Sequence, residues 1–140
     1  MIVLFGSTGD LTKRKLIPAL YNMYDKGILS SNIPILAVAR RDYTREQYIE
    51  HLQIDQFLPK ARKINAFLKQ VHYYTLDFDC DECSDFATFL KDMDKQYKCR
   101  GNKTFYLALA PSMFEQVIGI INSAGLIQGA GWRRVAFEKP

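Results

Sequence analysis

Short apolar runs alternate with longer amphipathic stretches about five times along the 140-residue chain. The first run, Ile2 to Phe5, is continuously apolar and Gly6 follows it directly, which is typical of a strand buried on both faces of a parallel sheet. A second such run is Ile35 to Ala39, and further strands are predicted at 71–76, 104–109 and 134–137. The alternation predicts an α/β fold with a doubly wound parallel sheet and helices on both faces.

The amphipathic stretches predict the helices between the strands. A helical pattern runs from residue 10 to about residue 26, but Pro18 lies inside it, so we expect a kink there or a helix that begins later. Thr44 and Gln47 have the spacing of a capping box, which predicts a helix that continues to about Gln53. Further helices are predicted at 59–68, at 84–97 with Ser84 as the N-cap, and from residue 111 onward.

Length and composition indicate one globular domain. A chain of 140 residues with 48% hydrophobic and 24% charged residues is close to the commonest domain size and is not typical of disordered or fibrous proteins. No apolar run reaches the roughly 18 residues that a membrane span needs, and the N-terminus lacks the basic region and cleavage site of a secretory signal. We therefore expect no membrane partner.

Cysteine usage indicates a reducing compartment, and so a cytoplasmic location. Three cysteines are an odd count, which fits poorly with a disulfide framework and favours free thiols. Cys80 and Cys83 form a C-x2-C pair, but a structural zinc site normally takes four ligands from two such pairs, so no metal site is predicted.

The net charge of +4 is a mild excess that suits an anionic small molecule as well as a nucleic acid. The basic residues are scattered rather than arranged in a stripe, and no nucleic-acid recognition motif is present. We therefore expect a small anionic ligand and no nucleic-acid partner.

The turn between the first strand and the first helical stretch has a phosphate-binding pattern. Gly6 permits a tight turn, and Gly9 lets the backbone approach a pyrophosphate that the N–H groups of the helix start then face. Ser7 and Thr8 add hydroxyl donors. The G-x-x-G spacing is weaker than a full dinucleotide fingerprint, and an ordinary glycine turn capped by Asp10 is an alternative. In its context, the turn favours a Rossmann-like sheet that binds a dinucleotide.

Two arginines at the end of the second strand indicate which dinucleotide is bound. NAD-binding domains usually place Asp or Glu at this position to bond the ribose 2′-OH. Arg40 and Arg41 stand there instead, and a guanidinium can grip a 2′-phosphate that a carboxylate would repel. The pattern predicts NADP rather than NAD, with ordinary surface arginines as the alternative.

Two more strand ends face the predicted cofactor edge of the sheet. Tyr106 lies in the fourth strand and fits either packing or a cofactor contact. Lys139 follows the fifth strand, where its ammonium group could pair with a phosphate or a substrate oxygen, or simply be an exposed terminal lysine.

Several motifs occur here in the order in which one known family has them. Gly6-Ser7-Thr8-Gly9-Asp10-Leu11 followed by Lys13-Arg14-Lys15-Leu16-Ile17-Pro18-Ala19-Leu20 resembles the N-terminal stretch of glucose-6-phosphate dehydrogenases. The later matches are Ala39-Arg40-Arg41, Phe105-Tyr106-Leu107-Ala108-Leu109, Gly131-Trp132-Arg133-Arg134-Val135 and Glu138-Lys139-Pro140. The resemblance covers the whole chain.

The resemblance implies an NADP-dependent oxidoreductase of glucose metabolism, in the pentose phosphate pathway. Such enzymes transfer a hydride from C1 of glucose 6-phosphate to NADP and form 6-phosphogluconolactone. The implied cofactor-binding residues are Gly6, Ser7, Thr8, Gly9, Asp10, Leu11, Thr12, Lys13, Arg40, Tyr106 and Lys139. Lys139 is also the implied contact to the sugar substrate.

The resemblance also implies what the chain lacks. The family's catalytic histidine lies after the Glu-Lys-Pro motif, and neither His51 nor His72 matches it, so both are expected to be structural. We expect residues 1–140 to form one coenzyme domain that lacks the C-terminal substrate and dimerisation domain and has little activity alone. The full-length protein is expected to be a homo-oligomer. A non-catalytic NADP-binding domain is the alternative.

Overall fold

A computed structural model describes residues 1–79 and 83–138. Its strands are β1 (Ile2–Phe5), β2 (Ile35–Ala39), β3 (Val71–Thr75), β4 (Lys103–Leu107) and β5 (Arg133–Phe137). All pair in parallel, in the order β3-β2-β1-β4-β5. The chain adds strands on one side of β1 and then on the other, so the predicted Rossmann-like doubly wound sheet is confirmed. This reversal places the carboxyl ends of β1, β2 and β4 side by side, where ligands of such sheets bind.

Helices cover both faces of the sheet because successive strand side chains point to opposite faces. On one face, Val3, Phe5 and Phe105 pack against helices α5 (Ser84–Tyr97) and α6 (Phe114–Ser123). On the other face, Leu4 and Ala37 pack in a second core. That core includes residues of α1 (Ile17–Asp25), α2 (Arg45–His51) and α4 (Ile64–Leu68). The five residues of β2 are all buried for this reason.

The first helical stretch divides where Pro18 predicted a change. A π-helical turn occupies Thr12–Leu16, and α1 begins at Ile17 with the proline in its first turn. Proline is tolerated there because the first N–H groups of an α-helix have no intrahelical acceptor. π-turns often occur at functional sites, and this one directly follows the glycine turn.

The structure confirms one local prediction, the capping box of α2, and corrects two others, the helix at 59–68 and the N-cap of α5. The capping box of α2 is confirmed, because the Thr44 N–H donates to Gln47 Oε1 at 2.8 Å and the Gln47 N–H donates to Thr44 Oγ1 at 3.2 Å. The helix predicted at 59–68 is wrong in its first half. The structure has α3 (Ile54–Phe57) and then α4, and Leu58 leaves the helical region because Pro59 follows it. Ser84 does not cap α5, whose N-cap position is Cys83, although the predicted range of the helix is correct.

The cysteines differ from the expectation of free thiols. Cys83 is disulfide-bonded, whereas Cys99 is a half-buried free thiol. An odd count guarantees one unpaired thiol but does not decide whether the others pair. Cys80 lies outside the described residues.

Candidate functional site

The turn after β1 can be built only with glycine at its first position. Gly6 has a φ of +81°, and a Cβ there would lie 2.3 Å from the carbonyl oxygen of Ala108, at the end of β4. Residues that carry a Cβ atom rarely adopt such a φ. A contact that short with a backbone atom would also force the chain to shift. Gly9 is also close-packed, since its Cβ would lie 3.2 Å from the Gly6 carbonyl oxygen.

The backbone of the turn has both satisfied and unsatisfied donors. The N–H groups of Gly6 and Ser7 donate to the Val38 carbonyl oxygen at 3.0 and 3.2 Å, and the Gly9 N–H donates to the Gly6 carbonyl oxygen at 3.0 Å. In the part of the chain that the structure describes, the N–H groups of Thr8, Asp10 and Leu11 have no acceptor. Unpaired N–H groups at a helix start are suited to binding an anion.

A cavity of about 320 Å³ opens at the carboxyl ends of β1, β2 and β4. Its lining includes the predicted residues Gly6, Thr8, Gly9 and Arg40, together with Arg41. The remaining lining residues are Ala39, Phe78, Ala108, Leu109, Ala110 and Met113. The glycine turn and the arginine pair, about thirty residues apart in the sequence, therefore share one concave surface.

The two arginines differ in their contacts. The Arg41 guanidinium donates to the Tyr43 hydroxyl at 3.3 Å, and the Arg41 carbonyl oxygen accepts from the Tyr73 hydroxyl at 2.6 Å. Arg40 is exposed, and its side chain forms no hydrogen bond or ion pair within residues 1–79 and 83–138. Of the two guanidinium groups, that of Arg40 therefore has no N–H donor engaged by another described residue, whereas that of Arg41 donates to Tyr43.

Other predicted residues lie at the turn but do not line the cavity. Ser7 is fully buried and its Oγ has no partner among the described residues. Thr12 is fully buried too, and its Oγ1 donates to the Gly6 carbonyl oxygen at 3.5 Å. Asp10 is exposed and forms an ion pair with Lys13 at 3.8 Å. Leu11 is half-buried.

Tyr106 packs against the core on the α1 side of the sheet, and its hydroxyl donates to Glu138 Oε2. That hydrogen bond, together with burial and the nearby carboxylate charge, raises the pKa of Tyr106 to about 12. The cavity lining does not include Tyr106. Lys139 lies outside the described residues.

Tyr48 and His51, both on α2, contact the turn and were not predicted as site residues. The Tyr48 hydroxyl donates to the Ser7 carbonyl oxygen at 3.3 Å, and His51 Nε2 lies 2.9 Å from the Thr8 carbonyl oxygen. The capping box predicted their helix, but no local signal connects it with a turn 41 and 43 residues earlier. His72 is remote from the turn, and its Nε2 lies 2.6 Å from the Tyr97 hydroxyl.

The described residues include neither a metal-ligand cluster nor a membrane-spanning helix. No group of three or more His, Cys, Asp or Glu side chains could hold a metal ion within 1–79 and 83–138. Within the same ranges, no helix combines the length and apolar character needed to cross a bilayer.

Comparison with known proteins identifies the relatives of this chain. A family model described as glucose-6-phosphate dehydrogenase, NAD binding domain, matches residues 3–140. Glucose-6-phosphate 1-dehydrogenase from Chlamydia pneumoniae is 36% identical and that from Bacillus subtilis is 29% identical. These matches cover 100% of this chain but only 30% and 29% of those proteins.

Solved structures that resemble this chain are also glucose-6-phosphate dehydrogenases. A glucose-6-phosphate dehydrogenase in complex with glucose-6-phosphate superposes with a TM-score of 0.87 at 32% identity, over 99% of this chain and 30% of that one. Glucose-6-phosphate 1-dehydrogenase from Mycobacterium avium has a TM-score of 0.75 at 24% identity, over 99% of this chain and 29% of that one, which shows the shared fold. The chain thus spans less than a third of the length of these relatives. By the family model and by these relatives, it belongs to the family of glucose-6-phosphate dehydrogenase NAD-binding domains.

Proposed function

We propose that this chain binds NADP as the coenzyme domain of an enzyme that oxidises glucose 6-phosphate. The observation that carries the proposal is the cavity that the glycine turn lines together with Arg40, whose side chain has no partner among the described residues. Family membership supports a nicotinamide dinucleotide, and the chemistry of Arg40 favours the form that has a 2′-phosphate.

The residues present fit such a cofactor. Gly6 and Gly9 line the cavity without a side chain, and three N–H groups of the turn lack acceptors among the described residues. In our proposal, the N–H groups of Thr8, Asp10 and Leu11 hold the pyrophosphate. Lys13, whose side chain is mostly buried beside Asp10, adds positive charge to the start of the helix.

Arg40 is proposed to bind the 2′-phosphate through paired N–H donors. A guanidinium presents five donors in a planar fork that matches phosphate geometry. Because Arg40 has no hydrogen bond to another described residue, binding the phosphate breaks no existing contact in that part of the chain. The adjacent Arg41 contributes charge, while its own contacts hold the end of β2 against β3.

Tyr106 and Lys139 remain proposed contacts at the nicotinamide end. The hydrogen bond from Tyr106 to Glu138 supports this, because it joins β4 to the residue that follows β5 and directly precedes Lys139 in the sequence. We propose that Lys139 also contacts the sugar phosphate. For Ser7 and Thr12, which are fully buried, we propose a supporting role, Ser7 through its backbone groups and Thr12 through the hydrogen bond of its hydroxyl to the Gly6 carbonyl oxygen.

When bound, the nicotinamide would accept a hydride from C1 of glucose 6-phosphate, and the product would be 6-phosphogluconolactone. The chain's own residues would bind and orient the cofactor. Both histidines are engaged in other contacts, His51 with the Thr8 carbonyl oxygen and His72 with Tyr97. We therefore assign proton abstraction to neither of them. We propose that the protein acts in the pentose phosphate pathway, in the cytoplasm, because the family to which it belongs supports this reaction.

A fluorescence titration tests the proposal. NADPH and NADH are added separately to the 140-residue chain, and the emission of the reduced nicotinamide is followed. Charge-assisted hydrogen bonds to the 2′-phosphate contribute about 1.5–3 kcal/mol, so NADPH should bind roughly 10- to 150-fold more tightly than NADH. Equal affinity for the two would contradict the choice of NADP, and no binding of either would contradict the proposed function.

A further inference from the structure

Two side chains on one face of α2 hold consecutive carbonyl groups of the glycine turn. Tyr48 donates to the Ser7 carbonyl oxygen at 3.3 Å, and His51 Nε2 lies 2.9 Å from that of Thr8. The two residues are three positions apart, so they are neighbours on the helix surface. Since a carbonyl oxygen can only accept, Nε2 of His51 carries the proton in this contact.

Packing on all sides holds the Tyr48 side chain in place. Tyr48 is fully buried, and its ring stacks on that of Tyr73 with centroids 4.6 Å apart and planes at 22°. Burial raises the pKa of the Tyr48 hydroxyl far above its ordinary value, so the group stays a donor. The His51 ring is half-buried, with its centroid 5.5 Å from that of Tyr43.

These anchors set the direction of N–H groups through the geometry of the peptide bond. In a trans peptide, the carbonyl of one residue and the N–H of the next point to opposite sides, and no cis peptide occurs in the described chain. When Tyr48 draws the Ser7 carbonyl toward α2, the Thr8 N–H must point away from α2. That N–H has no acceptor among the described residues, and Thr8 lines the cavity.

His51 contacts the next peptide bond, between Thr8 and Gly9. Its contact with the Thr8 carbonyl oxygen orients the Gly9 N–H, which donates to the Gly6 carbonyl oxygen at 3.0 Å and closes the turn. Rotation of the Ser7–Thr8 peptide would turn the Ser7 carbonyl oxygen to the side that the Thr8 N–H now faces, where its partial negative charge would repel an anion. Rotation of the Thr8–Gly9 peptide would turn the Thr8 carbonyl oxygen toward the Gly6 carbonyl oxygen and open the turn.

We propose that Tyr48 and His51 are positioning residues that hold the glycine turn in its anion-binding conformation. Tyr48 aims the Thr8 N–H at the pyrophosphate, and His51 fixes the peptide that closes the turn. The inference rests on the proposed function, because the anion is the pyrophosphate of NADP.

The test uses Tyr48→Phe, His51→Ala and His51→Gln in the 140-residue chain. Tyr48→Phe keeps the buried ring and removes only the hydroxyl. Gln47→Ala is the matched control, because it removes one of the two capping-box hydrogen bonds of the same helix, the one from the Thr44 N–H to Gln47 Oε1, and among the described residues Gln47 makes no hydrogen bond with the turn. Two ligands are titrated into each variant: NADPH, and 2′-AMP, which carries the 2′-phosphate but no pyrophosphate.

Tyr48→Phe and His51→Ala should each weaken NADPH binding about tenfold, as expected for one lost or misdirected hydrogen bond to a charged group. Binding of 2′-AMP should stay within about twofold, and His51→Gln, which retains a donor, should recover most of the loss. Gln47→Ala should leave both affinities unchanged. Equal losses for the two ligands, or a loss in Gln47→Ala that matches the others, would overturn the inference.

Amide hydrogen exchange without any ligand separates this inference from the proposed function. The Gly9 amide should exchange at least about tenfold faster in His51→Ala than in the wild-type chain, because its acceptor is no longer held in place. An unchanged rate would overturn the inference even if NADPH binds. Failure of the wild-type chain to bind NADPH would instead contradict the proposed function.

Discussion

A methyl group on Gly6 would lie 2.3 Å from the carbonyl oxygen of Ala108. The turn after β1 and the end of β4 are therefore in contact through a position that has room only for hydrogen. Gly6 and Ala108 both line the cavity, so this contact lies at its wall.

Gly6→Ala should destabilise the chain and abolish NADPH binding. Gly27→Ala is the matched control, because Gly27 also has a positive φ, +73°, but no atom lies within 4 Å of its Cβ position. Left-handed strain should cost each variant about 1–2 kcal/mol, and the overlap at Gly6 should add about 1–3 kcal/mol. Urea unfolding measures the free energies. Equal losses in the two variants would show that the contact with Ala108 has no energetic effect.

The ion pair between Asp94 and Lys103 should make stability depend on acid pH. Burial alone would raise the pKa of Asp94, but hydrogen bonds from Lys103 Nζ and from the Gly101 N–H outweigh it and hold the pKa below its usual value. A carboxyl with a lowered folded-state pKa contributes stability above its unfolded pKa of 3.8 and loses it as pH falls further.

Asp94→Asn should therefore lose about 3–5 kcal/mol at pH 7, because it leaves the Lys103 ammonium buried without its partner charge. Its stability should also fall less steeply below pH 4 than that of the wild-type chain. Asp92→Asn, at an exposed position of the same helix, serves as the control. Thermal unfolding between pH 2 and pH 7 measures both effects, and parallel pH profiles for Asp94→Asn and the wild type would contradict the assignment.

The hydrogen bond between Tyr106 and Glu138 should be visible as an energetic coupling. In a double-mutant cycle with Tyr106→Phe and Glu138→Gln, the free energies of unfolding should be non-additive by about 0.5–3 kcal/mol, as is usual for residues in direct contact. Strict additivity would mean that the two side chains do not interact in solution. Because Tyr106 stands among the proposed cofactor contacts, NADPH titration of Tyr106→Phe shows separately whether its hydroxyl affects binding.

The sheet could be predicted from sequence because its strands are buried on both faces. A run such as Ile35–Ala39 has no polar residue to confuse the pattern, so the strand positions and the cavity at their ends followed from the alternation alone. The segment between α2 and β3 could not be predicted as well. Its apolar residues fit one helix, but Pro59 divides the segment into two short helices, and only packing decides where they end.

The candidate site was predictable where it depends on backbone and charge. Gly6, Gly9 and Arg40, which line one cavity, could be predicted as site residues because their chemistry is local: a positive φ, a close approach and a guanidinium at a strand end. Tyr48 and His51 could not, because their contacts with residues 7 and 8 exist only in the tertiary structure. Ser7 stays a prediction: its hydroxyl has the right chemistry for a phosphate, but the side chain is fully buried in the structure.

In our proposal, Arg40 binds the 2′-phosphate beside the glycine turn and so distinguishes NADP from NAD. The most direct test measures NADPH and NADH binding to Arg40→Ala by nicotinamide fluorescence. Arg134→Ala, which removes an arginine that stacks on Trp132, controls for the loss of one positive charge. We expect Arg40→Ala to weaken NADPH binding about 10- to 150-fold while NADH affinity changes less than about twofold. Equal weakening of binding for both ligands, or unchanged NADPH affinity, would show that Arg40 does not bind the 2′-phosphate.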